Sequence, residues 1–559
     1  MNWNKIKPIE DETEFAMIRY LSSQYCLYPT ITQHLFHLGI NTSKKLGDFL
    51  IPSLNSMHHP FLLDEMSIAV PRILQAITRH EQILVFGDYD CDGMSSSTIL
   101  SQALIELGGQ VDTRLPLRTE GYGLSKEIVN SLSKSYSLII TVDNGSSAHD
   151  ALQAAKVKGI DVIVTDHHEV LNGRPDCLAF INPKRKDNHY PNPNLCGAGV
   201  ALKLVQAIYH KLNREWIGES FKFFDLATLG TIADVVPLTG ENRIICWHGL
   251  RKIKNHPHPA FKKIMDKLRI KTVDSSTFGF TLGPIFNACG RIGDPNFAAA
   301  ILRSTNPTNE EIDELIALND KRKKVTAEQF LTIQEKIHSE NLLNDDVLVI
   351  NGDFHKGIIG ILASRVSTYY KKPTIVISSD GTGSARSLQG SQFSIINCIS
   401  GCEDLLKKFG GHPMAAGFSI NLTESQVNLF RSKIQKEALK QHISSPQQFY
   451  ISNIPIHTFP RELMNDLPIL EPYGMGMPKP IFKSNATKIA SSQYFGKEKE
   501  HLKLLIKDKN VLGFSQAHLF HKLKDLSELD LFYSVNCHKK EDFFLHDLMK
   551  KKSDMLVNE

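Results

Sequence analysis

Ile83-Leu84-Val85-Phe86-Gly87-Asp88-Tyr89-Asp90-Cys91-Asp92-Gly93 is the stretch on which the fold turns. Four apolar residues run into a glycine and then three aspartates on alternate positions. Two later stretches follow the same plan. Leu138-Ile139-Ile140-Thr141-Val142 runs into Asp143-Asn144-Gly145, and Val162-Ile163-Val164 runs into Thr165-Asp166-His167-His168. Short continuous apolar runs separated by helix-length segments read as buried parallel strands of an α/β domain. Open parallel sheets build their sites beyond the carboxyl ends of the strands. Three strands therefore aim potential metal-binding residues at one edge.

Hard divalent cations prefer carboxylate oxygens, and Mn²⁺ also accepts imidazole. The opening D-x-D-x-D-G also begins a calcium loop, but such a loop needs Glu at its twelfth position, where this chain has Ile99. An acidic turn that caps the following helix is the plainer alternative, and a lone Asp143 at a strand end is commonly an N-cap. Adjacent imidazoles beside a carboxylate, as in Asp166-His167-His168, suit ligation with an orienting partner. Asp234 lies inside the apolar segment Leu229–Pro237 and needs a partner, which a metal would supply. Such a set could hold two ions about 3.5–4 Å apart, the arrangement that hydrolyses phosphoryl esters.

Outside this region the chain of 559 residues is long enough for several domains. Residues 1–75 read as a helical segment packed on a catalytic domain over 76–305. Ile312, Leu315, Ile316, Phe330, Ile333 and Ile337 fall at helical spacing and mark one long connecting helix, or two joined, over 306–342. Its run Lys321-Arg322-Lys323-Lys324 is either a solvated face or a nucleic-acid contact. A second α/β unit over 343–448 starts at Val347-Leu348-Val349-Ile350 and includes Phe409-Gly410-Gly411-His412-Pro413. Short apolar segments over 449–559 read as a small β-rich domain, ending in Lys550-Lys551-Lys552, a solvated tail.

The 64 basic and 60 acidic side chains nearly balance, which neither demands nor excludes a nucleic-acid partner. Nine cysteines without a C-x-x-C pair argue against a disulfide framework, and Cys398 and Cys402 read as two buried thiols on one helix face. No signal core and no membrane-length apolar stretch appear, so a cytoplasmic location is expected.

The order Asp88-x-Asp90-x-Asp92, Asp143, Asp166-His167-His168, Asp234 resembles the DHH phosphoesterase superfamily. Leu117-Arg118-Thr119-Glu120-Gly121-Tyr122-Gly123, Asn287-Ala288-Cys289-Gly290-Arg291, His355-Lys356-Gly357-Ile358-Ile359-Gly360, Gly383-Ser384-Ala385-Arg386-Ser387, Gly410-Gly411-His412 and Pro472-Tyr473-Gly474-Met475-Gly476 are similar to the RecJ family within it. The resemblance spans nearly the whole chain. It implies a DHH catalytic domain with a parallel sheet, a long connecting helix, a DHH-associated α/β domain and a C-terminal oligonucleotide-binding β-barrel. It also implies a metal-dependent exonuclease of DNA repair and recombination, specific for single-stranded DNA. Two ions of Mn²⁺ or Mg²⁺, digestion from the 5′ end and release of mononucleotides belong to the same expectation.

Carried over by position, Asp90, Asp92, Asp143, His167 and Asp234 would be metal ligands, with Asp143 bridging. Asp88 and His168 would ligate or orient, Arg118, Ser384 and Arg386 would hold the terminal 5′-phosphate, and Arg291 and His412 would face the scissile phosphate. Arginine makes bidentate phosphate contacts, which suits those roles. Single-stranded DNA is the implied partner, with single-strand-binding protein and a helicase as protein partners, no membrane, and a monomer. Two departures stand out: Cys289 replaces a usual small apolar residue and Met477 a usual Asn. Two other readings remain. One is an enzyme of the same chemistry on short oligoribonucleotides or cyclic dinucleotides, whose relatives are shorter and lack the barrel. The other is a non-catalytic scaffold, against which the intact acid and histidine set argues.

Overall fold

The structure is a computed structural model that describes residues 2–6, 11–171, 173–441, 447–496, 499–521, 523, 528–536 and 542–550. Lys551 and Lys552 of the expected tail lie outside them. The three apolar runs are central strands of one five-stranded parallel sheet, in the order Gln110–Arg114, Gln82–Phe86, Leu138–Val142, Asp161–Thr165, Ala179–Ile181. Leu138–Val142 is buried throughout because the sheet carries packed layers on both faces. The chain leaves Gln82–Phe86 toward one edge strand and returns to Leu138–Val142 on its other side. That reversal opens a crevice between the ends of these two strands, where Asp88 and Asp143 emerge. The helices Cys91–Glu106, Gly197–Lys211 and Phe224–Ala233 cover one face, and most of their residues are buried.

One continuous helix, Asn309–Ser339, follows, opened by a capping box between Thr308 and Glu311. The next unit is a five-stranded mixed sheet in the order Leu406–His412, Ala415–Ile420, Thr382–Arg386, Thr374–Ile377, Leu348–Asn351. The helix Ile359–Tyr370 packs on it, and its N-terminal turn abuts the strand Thr382–Arg386. Cys398 lies on the helix Ile395–Ser400, whereas Cys402 falls beyond its end; both are buried. The last unit is a seven-stranded, mainly antiparallel sheet running from Ser452–Asn453 to Asp542–Lys550.

The N-terminal segment sits differently from the expectation. Its strand Asn2–Lys5 pairs with Gln447–Tyr450, and Trp3 stacks on Phe532 at 4.3 Å. Leu21, Ile31, Leu35, Leu46 and Phe49 share a core with Ile456, Leu463, Leu502 and Leu531 of the C-terminal unit. The buried members of the catalytic core begin at Met57, Leu63 and Met66. An amphipathic helix announces that one face will be buried but carries no label for its partner. Buried Arg243, on the catalytic helix Gly240–Asn255, joins all three parts. It donates to the carbonyls of Phe49, Ile469 and Leu470, with its guanidinium 3.6 Å over the Phe49 ring.

Candidate metal centre and phosphate-binding groups

The acids of the first loop divide their work. Asp90 does cap the helix Cys91–Glu106: its Oδ1 accepts from the backbone N–H of Asp92 and Gly93 at 3.0 and 3.1 Å. Asp92, on the first turn, is buried and accepts from the N–H groups of Gly197 and Ala198 at 2.6 and 2.8 Å. Asp143 is buried with φ of 64°, a left-handed conformation that is uncommon for a residue with a side chain. Its N–H is held by the Thr165 carbonyl at 3.0 Å, so the strain is imposed by the sheet.

His167 lies at the centre of the cluster. Its Nε2 is 2.9 Å from Asp143 Oδ1 and 3.7 Å from both Asp92 Oδ2 and Asp234 Oδ2. The 2.9 Å pair is not aligned as a hydrogen bond, and Asp143 Oδ1 and both His167 ring nitrogens lack a hydrogen-bond partner among the described residues. Asp88 Oδ1 is buried in the same condition. Possible ligand atoms converge in three overlapping groups: Asp88, Asp90 and Asp143; Asp92, His167 and Asp234; and Asp143, His167 and His168. His168 differs from its neighbour. It is half-exposed, its Nδ1 is 2.8 Å from Asp166 Oδ1, and the Tyr122 hydroxyl stands 3.2 Å from its Nε2. Asp166 also accepts from the N–H groups of Ser146, His167 and His168, which makes it the orienting carboxylate of the triplet.

The electrostatics suit a divalent cation. Burial, then the charge of Asp90, pushes Asp88 well above the usual carboxylate range. Burial and neighbouring carboxylates act likewise on Asp143, raise Asp92 to about 7 and raise Asp234 to about 8. Burial drives His167 down to about 3, which keeps its ring neutral and able to ligate. Burial opposes protonation of His168 too, but the hydrogen bond and charge of Asp166 win and raise it to about 9. No Lys or Arg forms an ion pair with Asp88, Asp90, Asp92, Asp143 or Asp234 among the described residues. Oxygen donors with one neutral imidazole, gathered without a Lys or Arg ion pair, suit Mn²⁺ or Mg²⁺.

A second group of expected residues forms a chain of close contacts leading away from the acids. Arg118 lies 4.3 Å over the Tyr89 ring and donates to the Gly290 carbonyl at 2.9 Å. Arg291 follows in the helix Gly283–Ile292 and donates to the Gly357 carbonyl at 3.3 Å. Gly357 packs so tightly on the Arg291 carbonyl that a Cβ there has no room. A Cβ at Gly360 would meet Arg386 Nη2 at 2.9 Å and Ser384 Oγ at 3.2 Å. Arg386 in turn donates to Ser384 Oγ at 3.1 Å, beside the first turn of the helix Ile359–Tyr370. The His355–Gly360 loop thus bridges Arg291 to Ser384 and Arg386. His412 is exposed at the end of its strand. It opposes Ala415, which opposes Arg386, and it is not among the residues that meet in the acidic cluster. Met477 is buried in the C-terminal core, so the departure there falls on a packing position.

Three residues were not singled out by sequence. Asn144 donates from Nδ2 to the carbonyls of Phe86 and Val142 and accepts from the Leu124 N–H, tying the two strands that flank the crevice. Gly197 starts the helix Gly197–Lys211, and a Cβ there would come 2.5 Å from Asp143 Cβ. Asn287 accepts from the Cys91 N–H at 2.9 Å and so anchors the acidic loop. The triplet Asp-Asn-Gly after a strand was the signal available for Asn144; the other two act through local contacts with no periodic signature. Beside this wall lies a cavity of about 1330 Å³ between the catalytic unit, the connecting helix and the C-terminal unit. It is lined by Asn287, Arg291, Arg322 and Lys479, and by the exposed rings of Phe280 and Phe514.

Comparison with known proteins agrees with this architecture. The DHH family, N-terminal domain, matches residues 82–231, the DHHA1 domain 344–440, and the RecJ OB domain 452–541. The single-stranded-DNA-specific exonuclease RecJ of Bacillus subtilis (strain 168) is 33% identical over 540 residues, covering 93% of this chain and 66% of that protein. The protein of the same name from Escherichia coli (strain K12) is 33% identical over 470 residues, covering 78% of this chain and 80% of its own length. The crystal structure of RecJ from Thermus thermophilus in complex with Mn²⁺ superposes with a TM-score of 0.82 at 25% identity, covering 99% of this chain and 79% of that one. With DHH, DHHA1 and RecJ OB domains and 33% identity to those relatives over the aligned stretches, this chain belongs to the RecJ family of the DHH proteins.

Proposed function

We propose that this chain is a metal-dependent exonuclease that hydrolyses single-stranded DNA from its 5′ end and releases 5′-mononucleotides. The observation that carries the reading is the cluster of buried Asp88, Asp92, Asp143 and His167 with half-buried Asp234, which forms no ion pair with Lys or Arg among the described residues and lies one wall away from Arg118, Arg291 and Arg386. Asp90, Asp92, Asp143, His167 and Asp234 would hold the metal, with Asp88 as a further carboxylate beside Asp90 and Asp143. Bound Mn²⁺ or Mg²⁺ supplies an activated water and stabilises charge on the attacked phosphate.

The protein's own groups do the rest. Asp166 holds His168 Nδ1 at 2.8 Å and so fixes the ring beside the proposed ligands, where His168 ligates or orients. Arg118, Ser384 and Arg386 take the terminal 5′-phosphate, and their spacing from the acids sets how far into the strand the cut falls. Arg291 and His412 would face the scissile phosphate. The cavity gives the remaining strand its path. Phe280, 84% exposed, and Phe514, 54% exposed, offer faces on which bases of any identity can stack. A role in DNA repair and recombination, a cytoplasmic location, a monomeric state, and partnership with single-strand-binding protein and a helicase complete the reading. No helix is long and apolar enough to cross a membrane among the described residues. Purified protein with Mn²⁺ and labelled single strands tests it: release of mononucleotides is expected, and a folded protein that releases none contradicts it.

A further inference from the structure

The four basic residues Lys321 to Lys324 look alike in the sequence and are not alike in the fold. Lys323 pairs with Asp320 at 3.0 Å and Lys324 with Glu328 at 3.9 Å, all on the exposed face of the helix. Those are solvated pairs of small consequence. Arg322 is half-buried instead. Its Nε and Nη2 both donate to Asn319 Oδ1, at 3.1 and 2.8 Å, and Asn319 is itself buried. Among the described residues Arg322 makes no ion pair, so a neutral amide holds its fork in place without cancelling its charge.

The direction in which it is held matters. Arg322 lines the cavity together with Asn287, Arg291, Phe280 and Lys479. Burial pushes Arg291 down to about 10, and the like charges of Arg118 and Arg322 add to that, so the three guanidinium groups feel one another. Each is gripped by a neutral oxygen: Arg118 by the Gly290 carbonyl, Arg291 by the Gly357 carbonyl, Arg322 by Asn319. Three cations gathered on one wall, fixed but not neutralised, are costly in the free protein and suited to successive phosphates. Arg118 and Arg291 already have phosphates in the proposed reading, the 5′-terminal and the scissile one; Arg322 has none.

We infer that Arg322, pre-oriented by Asn319, grips a backbone phosphate on the 3′ side of the scissile bond as the strand crosses the cavity. The connecting helix is then part of the strand-binding surface as well as a spacer. This rests on the single-strand reading above and adds a positioning residue to it.

The test compares wild type with Arg322→Gln, Arg322→Lys and Asn319→Ala in Mn²⁺, on a long 5′-phosphorylated single strand and on a 5′-phosphorylated dinucleotide, over a range of salt. For Arg322→Gln, KM on the long strand is expected to rise about tenfold and the slope of log kcat/KM against log salt to fall by about one, as for loss of one phosphate contact. The loss on the dinucleotide, which has no phosphate at that site, is expected to be several-fold smaller. Arg322→Lys keeps the charge and the salt slope but recovers only part of the KM, because an ammonium lacks the fork. Asn319→Ala is expected to behave like Arg322→Lys. Unchanged KM and salt slope in Arg322→Gln, or equal losses on both substrates, overturns the inference while leaving the nuclease intact. A wild type that digests neither substrate overturns the nuclease reading and this inference together.

Discussion

Asp143 is where three constraints meet: a left-handed backbone, a fully buried carboxylate, and His167 Nε2 at 2.9 Å. Strain of this kind persists only where the surrounding structure imposes it, and it aims the carboxylate into the crevice. Asp143→Ala is therefore expected to abolish turnover, a loss well beyond the roughly 10–100-fold that removing an outer-shell partner costs. Asp166→Asn tests that outer shell. It keeps the shape but weakens the grip on His168 Nδ1 and turns an amide N–H toward a backbone donor, so about 10–100-fold lower kcat is expected together with a lower melting temperature in Mn²⁺. Arg386→Ala should act on the substrate end instead: the preference for 5′-phosphorylated over 5′-hydroxyl strands should shrink, measured as the ratio of the two kcat/KM values. At this scale the sequence was legible where chemistry is unusual, since three alternating aspartates or paired histidines are rare without a purpose. It gave no role to Asn144 and Asn287, whose ordinary amides work by tying backbones together, and it offered the run Lys321–Lys324 as a solvated face or a nucleic-acid contact without separating Arg322 from the three other cations.

The elements explain why the acids meet at all. The order of the parallel sheet places the ends of Gln82–Phe86 and Leu138–Val142 side by side, and Gly197 lets the helix Gly197–Lys211 begin directly against Asp143. Its first N–H groups then hold Asp92. Gly197→Ala adds a methyl 2.5 Å from Asp143 Cβ, and overpacking of this sort costs about 1–3 kcal/mol. Thermal unfolding is expected to show that loss, and activity should fall further than stability because the displaced group is a proposed ligand. Buried strands are continuous apolar runs and so could be read one by one, and the connecting helix could be read from its spacing. The partner of the first helices could not. Leu35 and Phe49 mark an apolar face, and only the assembled chain shows that Ile456 and Leu463 receive it.

For the whole molecule, the three units enclose the cavity, and Arg243 ties the N-terminal helices and the C-terminal unit to the catalytic one. The C-terminal unit and the helices packed on it carry an acid-sensitive feature. Burial lowers His34 and His546 to about 4, below the ordinary histidine value of 6.5. Each is neutral when folded and binds a proton more readily when unfolded. Their contribution is complete above pH 6.5 and is lost as the pH falls from there toward 4. Melting temperature should decline over that window, and His34→Leu with His546→Leu should flatten the decline. The central claim concerns the path of the strand and the end at which it is cut. It is tested most directly by digesting one single strand, labelled at either its 5′ or its 3′ end, with this protein in Mn²⁺. The account predicts immediate release of a labelled mononucleotide from the 5′-labelled strand, gradual shortening of the 3′-labelled one, and neither in EDTA. Early release of the 3′ label, or equal digestion with the metal removed, would contradict it.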